Sequence, residues 1–276
     1  MKKLFLLDAY ALIYRAYYAF MRMPRTNSKG LNTGAIFGFV NTLEDVLKRE
    51  KPTHIAVVFD PSGPTFRHEA FAAYKAQREE TPEDIRKSIP IIKQIVEAYR
   101  IPVIQVAGFE ADDVIGTLAQ KAEKVGFEVF MMTPDKDYGQ LVSEHIFIYK
   151  PKFGASGFDT LGVQEVLEKW GLDKVSQVID LLGLMGDASD NIPGCPGVGE
   201  KTAVKLLKEF GSIENLLQNT NKLTGALKTK VEENREKIEF SRFLATIKID
   251  VPVDLDETHL IMEDFDLEKV IELFWE

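Results

Sequence analysis

Acidic residues stand at the ends of three apolar segments that are typical of buried strands. Asp8 follows the segment LFLL, Asp60 follows AVVF, and Asp135 and Asp137 lie just past VFMMT. Ligands of open parallel sheets bind beyond the carboxyl ends of the strands. We therefore expect these four carboxylates to lie close together at one edge of a sheet.

A fourth apolar segment leads into Glu110, Asp112 and Asp113, which enter the first turn of a predicted helix. For any one of these acids, stabilisation of the helix N-terminus is the alternative interpretation. That alternative is weaker when four strands lead into acids, because two carboxylates about 4 Å apart repel by roughly 4 kcal/mol at an effective dielectric near 20. Such a cluster requires bound cations, and oxygen ligands without His or Cys favour Mg²⁺ or Mn²⁺.

The last two acids of the predicted cluster, Asp187 and Asp190, lie in the segment GDASDNIPG at the end of a helix. By itself this segment is a turn signal. It is followed by PGVGEKTA, which begins an amphipathic helix and leaves backbone N–H groups free to bind a phosphate without reading bases. A tight turn between two helices, without a ligand, is the alternative. The residues predicted to contact phosphate here are Gly197, Val198, Gly199, Lys201, Thr202 and Lys205.

The net charge of −9 conceals an uneven distribution of charge. Residues 250–276 contain ten acids and one base, so residues 1–249 sum to zero. If the nine acids named above bind cations, the rest of those 249 residues carries +9. A basic surface around an acidic pocket suits the binding of a phosphodiester over metal ions.

The elements that must position these residues alternate between apolar strands and amphipathic helices as far as about residue 159. This order predicts an α/β fold with a mainly parallel central sheet flanked by helices. Beyond it we predict only helices, including a long one over 223–247. We expect a metal-binding α/β core over residues 1–160 and a helical subdomain over 161–276 that ends in the acidic tail. The predicted strands are 3–7, 54–59, 101–106, 127–132 and 146–149.

Composition excludes several classes of protein. The longest apolar stretches fall far below the roughly 18 to 20 residues of a membrane span, and Asp8 interrupts the first apolar run before a signal-peptide core can form. One cysteine, Cys195, rules out an internal disulfide framework and a Cys-based zinc site, and the four histidines lack metal-ligand spacing. We expect a cytoplasmic protein with no membrane partner.

In combination, these motifs resemble the 5′ nuclease (flap endonuclease) superfamily, and most closely the N-terminal 5′ to 3′ exonuclease domain of bacterial DNA polymerase I. The resemblance covers essentially the whole chain. It rests on FDPSGPTFRHEAFAAYKAQR (59–78), GFEADDVIGTLA (108–119), TPDKDYGQLV (133–142) and GDASDNIPGCPGVGEKTA (186–203). It implies a PIN-like 5′ nuclease fold with a helical arch at about 67–100 and a helix-hairpin-helix motif at about 187–211. The helical pattern at the end of the sequence suggests a fragment of a longer polymerase.

The resemblance also implies roles for single residues. Lys75 and Arg78, at the base of the arch, are similar to cations that face the scissile phosphate. The hairpin is similar to one whose backbone carbonyls bind K⁺, which bridges to duplex phosphates. Two metal ions are implied, the first surrounded by Asp8, Asp60, Glu110, Asp112 and Asp113 and the second served by Asp135, Asp137, Asp187 and Asp190.

Three tyrosines, Tyr10, Tyr14 and Tyr17, recur at helical spacing in the first predicted helix. Such a stripe is usually part of the core, but one of these rings is a candidate for stacking on a DNA base. We choose Tyr14 as that candidate.

The function that these observations and the resemblance predict is Mg²⁺-dependent cleavage of DNA near a 5′ end, or at a 5′ flap beside a duplex. The expected context is replication, where RNA primers are removed, and repair, with a monomeric enzyme. A PIN-like ribonuclease and a DNA-binding module without catalysis are the alternatives. The arch and the hairpin argue against the first alternative, and the intact set of nine acids argues against the second.

Overall fold

The computed structural model describes residues 2–152 and 157–275. Its six strands are β1 (Lys2–Asp8), β2 (His54–Val58), β3 (Val103–Ile104), β4 (Phe127–Met132), β5 (Ile146–Pro151) and β6 (Phe158–Leu161). They form one sheet in the order β3-β2-β1-β4-β5-β6. Every neighbouring pair is parallel except β5 with β6, which is antiparallel. β3 is shorter than the predicted strand 101–106, since it is an edge strand that pairs only with β2.

Helices cover both faces of the sheet and form the C-terminal part of the chain. Two short 3₁₀ turns, Asp137–Leu141 and Thr220–Lys222, interrupt the connections. The helices are α1 (Ala9–Phe20), α2 (Gly34–Glu50), α3 (Phe66–Ala70), α4 (Glu83–Ala98), α5 (Ala111–Lys124), α6 (Val163–Trp170), α7 (Gln177–Met185), α8 (Glu200–Phe210), α9 (Ile213–Gln218), α10 (Gly225–Glu233), α11 (Arg235–Ala245) and α12 (Leu267–Trp275).

The central strand β1 contributes to two cores because successive side chains of a strand point to opposite faces of the sheet. Leu4 and Leu6 pack with α5 and with the helical part, whereas Phe5 and Leu7 pack with α1, α2 and α4. All four side chains are fully buried. A strand covered on both faces has to be apolar throughout, which explains why β1 is one continuous apolar run. The predicted fold class, a mainly parallel sheet flanked by helices, is confirmed.

The strands end at Leu161, close to the predicted residue 159, but the last of them, β6, was not predicted. β6 pairs with β5, and Tyr149 lies opposite Thr160. β6 is an edge strand of four residues, none of them buried. It therefore lacks the apolar pattern by which the buried strands were predicted. The expected boundary at residue 160 falls inside this strand.

The single helix predicted over 223–247 was wrong, because α10 ends at Glu233 and α11 begins at Arg235. The side-chain amide of the intervening Asn234 donates to the carbonyl of Lys230 at 2.8 Å. Asparagine competes in this way with helical hydrogen bonds. The break gives α11 a direction of its own, and it packs against α7.

Part of the range expected to form an arch, 67–100, packs against the core. α4 buries Ile85, Ile92 and Val96 in the core that it shares with α1 and α2. Arg67, at the start of the range, is buried as well. The part that lies beside the acidic cleft is the connection between α3 and α4, residues 71–82, which we call the arch segment. This segment is the part of the expected arch that adjoins the cleft.

The described part of the acidic tail, residues 250–275, packs on the α/β core. The N–H of Ile55 in β2 donates to the carbonyl of Leu260, and the N–H of Met262 donates to the carbonyl of Thr53, both at 2.9 Å. Farther along, α12 packs against α4. The tail, which we had placed in the helical subdomain, thus covers part of the other subdomain. Among the described residues, no helix combines the length and the apolar character that a membrane span requires.

Candidate functional site

Six carboxylates line one cleft of about 590 Å³, five of them from predicted metal ligands and the sixth from Glu79. Asp8 is the last residue of β1, Asp60 follows β2, Asp135 follows β4, and the other two predicted ligands stand where α5 begins. The register of the sheet pairs Asp8 with Val58 of β2, and Leu7 with Met132 of β4, so the ends of these strands are level. The structure brings together Asp8, Asp60, Glu110, Asp112 and Asp135 in this cleft.

Asp8 has a partner for each oxygen. One oxygen accepts the N–H of Ala11 at 3.1 Å and caps α1, and the other accepts the hydroxyls of Thr133 and Tyr138, each at 3.1 Å. Burial, together with the charge of Asp60, raises the pKa of Asp8 to about 7. This carboxylate is therefore held rigidly, and its ionised form would gain from a nearby cation.

Asp60 and Asp112 complete what we call the first group, defined as Asp8, Asp60, Glu110 and Asp112. The carboxylate of Asp60 accepts the N–H of Ala111 at 2.7 Å, which ties the end of β2 to the start of α5. Burial, assisted by the charge of Glu110, raises the pKa of Asp60. Burial and the charge of Asp113 raise the pKa of Asp112 well above its ordinary value.

The second group is Asp135, Asp137, Asp187 and Asp190. The N–H of Asp137 donates to Asp135 at 2.9 Å. Burial, with the charges of Asp135 and Asp187, raises the pKa of Asp137 to about 8. Burial also raises the pKa of Asp135, and the charges of Asp190 and Asp187 add to this shift. The four acids therefore act on one another although they come from two distant parts of the chain.

Asp187 differs from its neighbours because basic and polar groups already satisfy it. Lys136 Nζ lies 2.8 Å from one oxygen, and the N–H and hydroxyl of Ser189 donate to the other at 2.8 and 2.6 Å. Burial alone would raise the pKa of Asp187, but these hydrogen bonds keep it below its ordinary value. Direct binding of a cation by Asp187 would require Lys136 to move.

One oxygen in each group lacks a hydrogen-bond donor. Within the part of the chain that the structure describes, Oδ1 of Asp112 and Oδ1 of Asp137 are both inaccessible to solvent and both without a partner. A buried polar atom without a partner costs roughly 1 to 3 kcal/mol. Since the donor set consists of carboxylate oxygens, a hard divalent cation would satisfy it. The residues of both groups therefore fit divalent metal ions.

Asp113, predicted as a ligand of the first metal, accepts hydrogen bonds from protein groups through both of its oxygens. One oxygen accepts from Arg67 at 2.8 Å and from the N–H of Lys248 at 2.7 Å, and the other accepts from Arg67 at 2.8 Å and from the N–H of Glu110 at 3.1 Å. Its oxygens lie near those of Glu110 and Asp112, but the side chain is fully buried and four donors occupy it. The geometry argues against a direct ligand role for Asp113.

Lys75 and Arg78 of the arch segment face the carboxylates. Lys75 Nζ lies 2.5 Å from Glu110 Oε1 and 3.7 Å from Asp190, and Arg78 lies 2.5 Å from Asp190. Burial by itself would raise the pKa of Glu110, but the positive charges of Lys75 and Arg67 keep that pKa below its ordinary value. The two cations expected at the base of the arch thus stand directly beside both groups of acids.

Lys75 has a left-handed backbone, with φ of 55°. This conformation is unusual for a residue with a side chain. Here the N–H of Lys75 donates to the carbonyl of Asp190 at 3.0 Å, and the side-chain amide of Gln77 donates to the carbonyl of Ala188 at 2.8 Å. These bonds join the arch segment to the loop that bears Asp190.

The predicted phosphate-binding hairpin lies at the start of α8. Gly197, Gly199 and Lys201 are exposed, whereas Val198 is buried and anchors the turn. The first N–H groups of a helix have no acceptor within it, so those of α8 are available to a ligand. Of the other predicted residues, Lys205 is exposed and Thr202 is half-buried.

Lys230 of α10 joins this hairpin, which the sequence did not indicate. A Cβ added at Gly197, where φ is 75°, would lie 2.5 Å from Lys230 Nζ. The left-handed backbone favours glycine at this position, and the ammonium group of Lys230 lies close to it. More than thirty residues separate the two, so no local pattern could have predicted this proximity.

The three tyrosines of α1 have different environments. Tyr10 and Tyr14 line the cleft, and the hydroxyl of Tyr14 lies 3.1 Å from that of Thr81. Tyr10 packs edge-on against Phe59, and Tyr17 packs against the core around α1 and α2. Base stacking by Tyr14 is compatible with its place beside the cleft and stays a prediction.

Arg67 and Tyr74 are two buried residues of the site for which the sequence predicted no role. Both contact Glu110, at 3.0 and 2.9 Å. Arg67 and Tyr74 belong to the quoted segment 59–78, but a buried arginine cannot be told from an exposed one by sequence alone. The nearest signal is the motif FRHE, in which a basic residue follows an apolar one.

Comparison with known proteins identifies the family. Residues 3–171 match the 5'-3' exonuclease N-terminal resolvase-like domain, and residues 174–268 match the 5'-3' exonuclease C-terminal SAM fold. A 5'-3' exonuclease of Aquifex aeolicus is 37% identical over 98% of this chain and 90% of its own length. DNA polymerase I of Bacillus caldotenax is 44% identical over the whole chain, which spans 31% of that polymerase.

A solved structure shares the fold over the full length of both chains. It is a complex of the bacteriophage T5 D15 flap endonuclease with DNA and metal ions, with a TM-score of 0.73 and 18% identity. At this low identity the structural match supports a shared fold, whereas the sequence matches support a shared chemistry. Together with the convergent carboxylates, they establish that this chain belongs to the 5'-3' exonuclease family of phosphodiester-cleaving nucleases.

Proposed function

We propose that this chain is a Mg²⁺-dependent nuclease that cuts DNA near a 5′ end, or at a 5′ flap beside a duplex. The observation that carries the proposal is the convergence of the first group and Asp135 on one cleft, together with the buried, partnerless oxygens of Asp112 and Asp137. Mn²⁺ would substitute for Mg²⁺, since both prefer oxygen ligands.

The first group would bind one metal ion and the second group another, some of its members through water. When bound, divalent cations supply the Lewis acidity that in-line hydrolysis of a phosphodiester needs. The chain supplies rigid placement, because Asp8 and Asp60 accept hydrogen bonds from the backbone that fix their side chains. No side-chain nucleophile is required.

Lys75 and Arg78 would neutralise charge that develops on the phosphoryl oxygens during cleavage. Support comes from their position at the cleft, where each lies within 2.5 Å of a carboxylate of the site. A bound cation would compete for those carboxylates and release both side chains toward the substrate. The arch segment would then admit the single-stranded 5′ end.

The hairpin before α8 would contact the phosphates of the duplex, independently of sequence. The exposed Lys201 and Lys205 and the free N–H groups of α8 support this contact. A K⁺ ion bound by hairpin carbonyls belongs to the same proposal. These contacts would orient the duplex so that its 5′ strand reaches the cleft.

The proposed context is removal of RNA primers in replication, and repair, by a monomer in the cytoplasm. The match to a DNA polymerase I supports a polymerase domain in the same longer chain, since this chain spans about a third of that relative. The match to a 5'-3' exonuclease of nearly equal length supports an independent enzyme equally well.

The test is incubation with a labelled 5′-flap DNA in Mg²⁺ or in EDTA, followed by sizing of the products. We expect cleavage next to the junction in Mg²⁺ only. Matched flaps made of RNA and of DNA distinguish primer removal from a preference for DNA. Cleavage in EDTA, or of single-stranded RNA alone, would contradict the proposed function and favour a PIN-like ribonuclease in the second case.

A further inference from the structure

Arg67 places its entire guanidinium group inside the protein. Nε donates to the carbonyl of Leu244 at 2.9 Å, and one terminal nitrogen donates to the carbonyl of Thr246 at 2.7 Å. The terminal nitrogens also donate to both oxygens of Asp113 at 2.8 Å and to Glu110 Oε2 at 3.0 Å. These five bonds match the five N–H groups of arginine.

The two oxygens of Glu110 consequently have different partners. Oε2 accepts from Arg67 and from the hydroxyl of Tyr74 at 2.9 Å. Oε1 contacts only Lys75 Nζ, at the cleft. Because Oε2 is fixed from behind, the carboxylate has one orientation, and that orientation presents Oε1 to the cleft.

The bonds of Arg67 extend beyond a structural ion pair. An ion pair with Asp113 would need only the two terminal nitrogens, yet Nε and one terminal nitrogen also bind the segment 244–248 that leaves α11. The N–H of Lys248, in the same segment, donates to Asp113 at 2.7 Å. The end of the helical subdomain is thus bonded to the arginine that fixes Glu110.

We propose that Arg67 is a positioning residue for Glu110, and that through Arg67 the placement of this carboxylate depends on the segment 244–248. The inference rests on the proposed function, in which Glu110 binds a divalent cation. It gives the helical subdomain an effect on the metal site in addition to its contacts with DNA.

Arg67→Lys tests this inference because it keeps the charge and removes the planar set of donors. A lysine has three donors on one atom and cannot reach four separate groups. Groups that orient a metal ligand typically change affinity by about 10- to 100-fold when they are lost. We expect the Kd for Mg²⁺, measured by calorimetry, to rise about 10-fold, and the single-turnover rate on a 5′ flap to recover as Mg²⁺ is raised.

The matched control is Val231→Ala, a fully buried residue of α10 outside this network. It should lower the melting temperature and leave the Kd for Mg²⁺ unchanged. A wild-type Kd in Arg67→Lys, with a rate deficit that Mg²⁺ does not reverse, would overturn the inference alone. Absence of saturable Mg²⁺ binding by the wild type would overturn the proposed function itself.

If Arg67→Lys does not fold, the wild type still decides. In protein labelled with ¹⁵N-arginine, the Nε–Hε signal of Arg67 should shift during titration with Mg²⁺, with the midpoint found by calorimetry. Arg49 Nε, which pairs with Asp45 on the exposed face of α2 at 2.5 Å, is the internal control and should not shift. An Arg67 signal that stays in place at saturating Mg²⁺ would contradict a link between Arg67 and the metal ligand.

Discussion

At the scale of single residues, Asp112 and Asp113 are adjacent acids with opposite environments. Oδ1 of Asp112 is buried without a donor, whereas Asp113 accepts four hydrogen bonds. Burial and the neighbouring charge of Asp113 favour the neutral form of Asp112, since its pKa is raised. One carboxylate is thus available to a cation at a cost in stability, and the other holds the start of α5 in place.

Replacement of each by asparagine should therefore have opposite effects on stability. Asp112→Asn imitates the neutral form and should raise the free energy of unfolding in EDTA by ~1 kcal/mol, because it removes a like charge from the cluster. Asp113→Asn breaks a buried ion pair and should lower it by ~3 kcal/mol. Denaturant titration in EDTA measures both changes.

The same two variants should also differ in their rates of cleavage. Asp112→Asn should lose at least ~10²-fold in single-turnover rate at any Mg²⁺ concentration, whereas Asp113→Asn should recover part of its rate when Mg²⁺ is raised. Equal and irreversible loss in both variants would restore Asp113 to the set of direct ligands.

At the scale of elements, the arch segment carries Lys75 and Arg78, which we propose act on the reacting phosphate. Replacement of Lys75 or Arg78 by alanine should lower the single-turnover rate by about 10²- to 10³-fold. Affinity for the flap should change much less, because the charge that these residues neutralise is largest in the transition state. Stopped-flow rates and fluorescence anisotropy measure the two quantities. Lys93 lies in α4, outside the arch segment, and serves as a control. Its replacement by alanine should leave the rate unchanged.

A separate prediction is that a free 5′ end has to pass the arch segment before cleavage. A streptavidin block on the 5′ end, added before the enzyme, should inhibit cutting, whereas the same block added after binding should not. If blocked flaps are cut as fast as free ones, the arch segment does not enclose the strand.

The hairpin before α8 is the element for which we propose a phosphate contact without a base contact. Lys201→Ala should weaken binding to flaps of different sequence by similar factors and reduce the slope of log K against log salt by about one. Binding isotherms at several salt concentrations measure this slope. Lys208, farther along the same helix and also exposed, is the matched control. A slope that Lys201→Ala leaves unchanged would make Lys201 an ordinary surface lysine.

At the scale of the whole molecule, the acid cluster couples stability, metal binding and pH. The pKa of Asp8 is raised to about 7 and that of Asp137 to about 8, so both carboxyls hold protons in the acidic part of the neutral range. Binding of Mg²⁺ has to displace these protons. Affinity for Mg²⁺ should therefore increase as pH rises through 7 and 8.

Melting temperatures reveal this coupling, because a ligand of the folded state stabilises it by about 2.7 kcal/mol at 100 times its Kd. We expect 10 mM Mg²⁺ to raise the melting temperature more at pH 8.5 than at pH 6, relative to EDTA at matched ionic strength. Calorimetry in two buffers of different ionisation enthalpy should show protons released on binding. A stabilisation that is equal at both values of pH would contradict the raised pKa values.

The negative and positive charges of the chain lie in different parts of the molecule. The described part of the acidic tail, residues 250–275, packs on the α/β core through β2 and α4. The hairpin instead presents Lys201, Lys205 and Lys230 around exposed glycines. A net charge of −9 is thus compatible with a nucleic-acid surface, because the acids lie in the cleft and in the tail.

The apolar strands and the acids that follow them predict the fold class and several carboxylates of the cleft from local patterns alone. A strand buried on both faces must be apolar throughout, so β1, β2 and β4 were recognisable, and an acid at the end of such a strand has to lie at the edge of the sheet where the others end. That reasoning placed Asp8, Asp60 and Asp135 in one cleft before any coordinates were known. The order of the four quoted motifs likewise predicted the family.

Features that depend on partners distant along the chain could not be predicted from local patterns. Asp113 is excluded from the cleft by donors at residues 67 and 248, and Lys230 reaches Gly197 from another helix. The edge strand β6 and the break at Asn234 were missed because half-exposed strands and side-chain caps leave no apolar period. Hydrogen bonds between residues distant along the chain have no local signature, and they leave Asp112 Oδ1 without a donor while Asp113 accepts four hydrogen bonds.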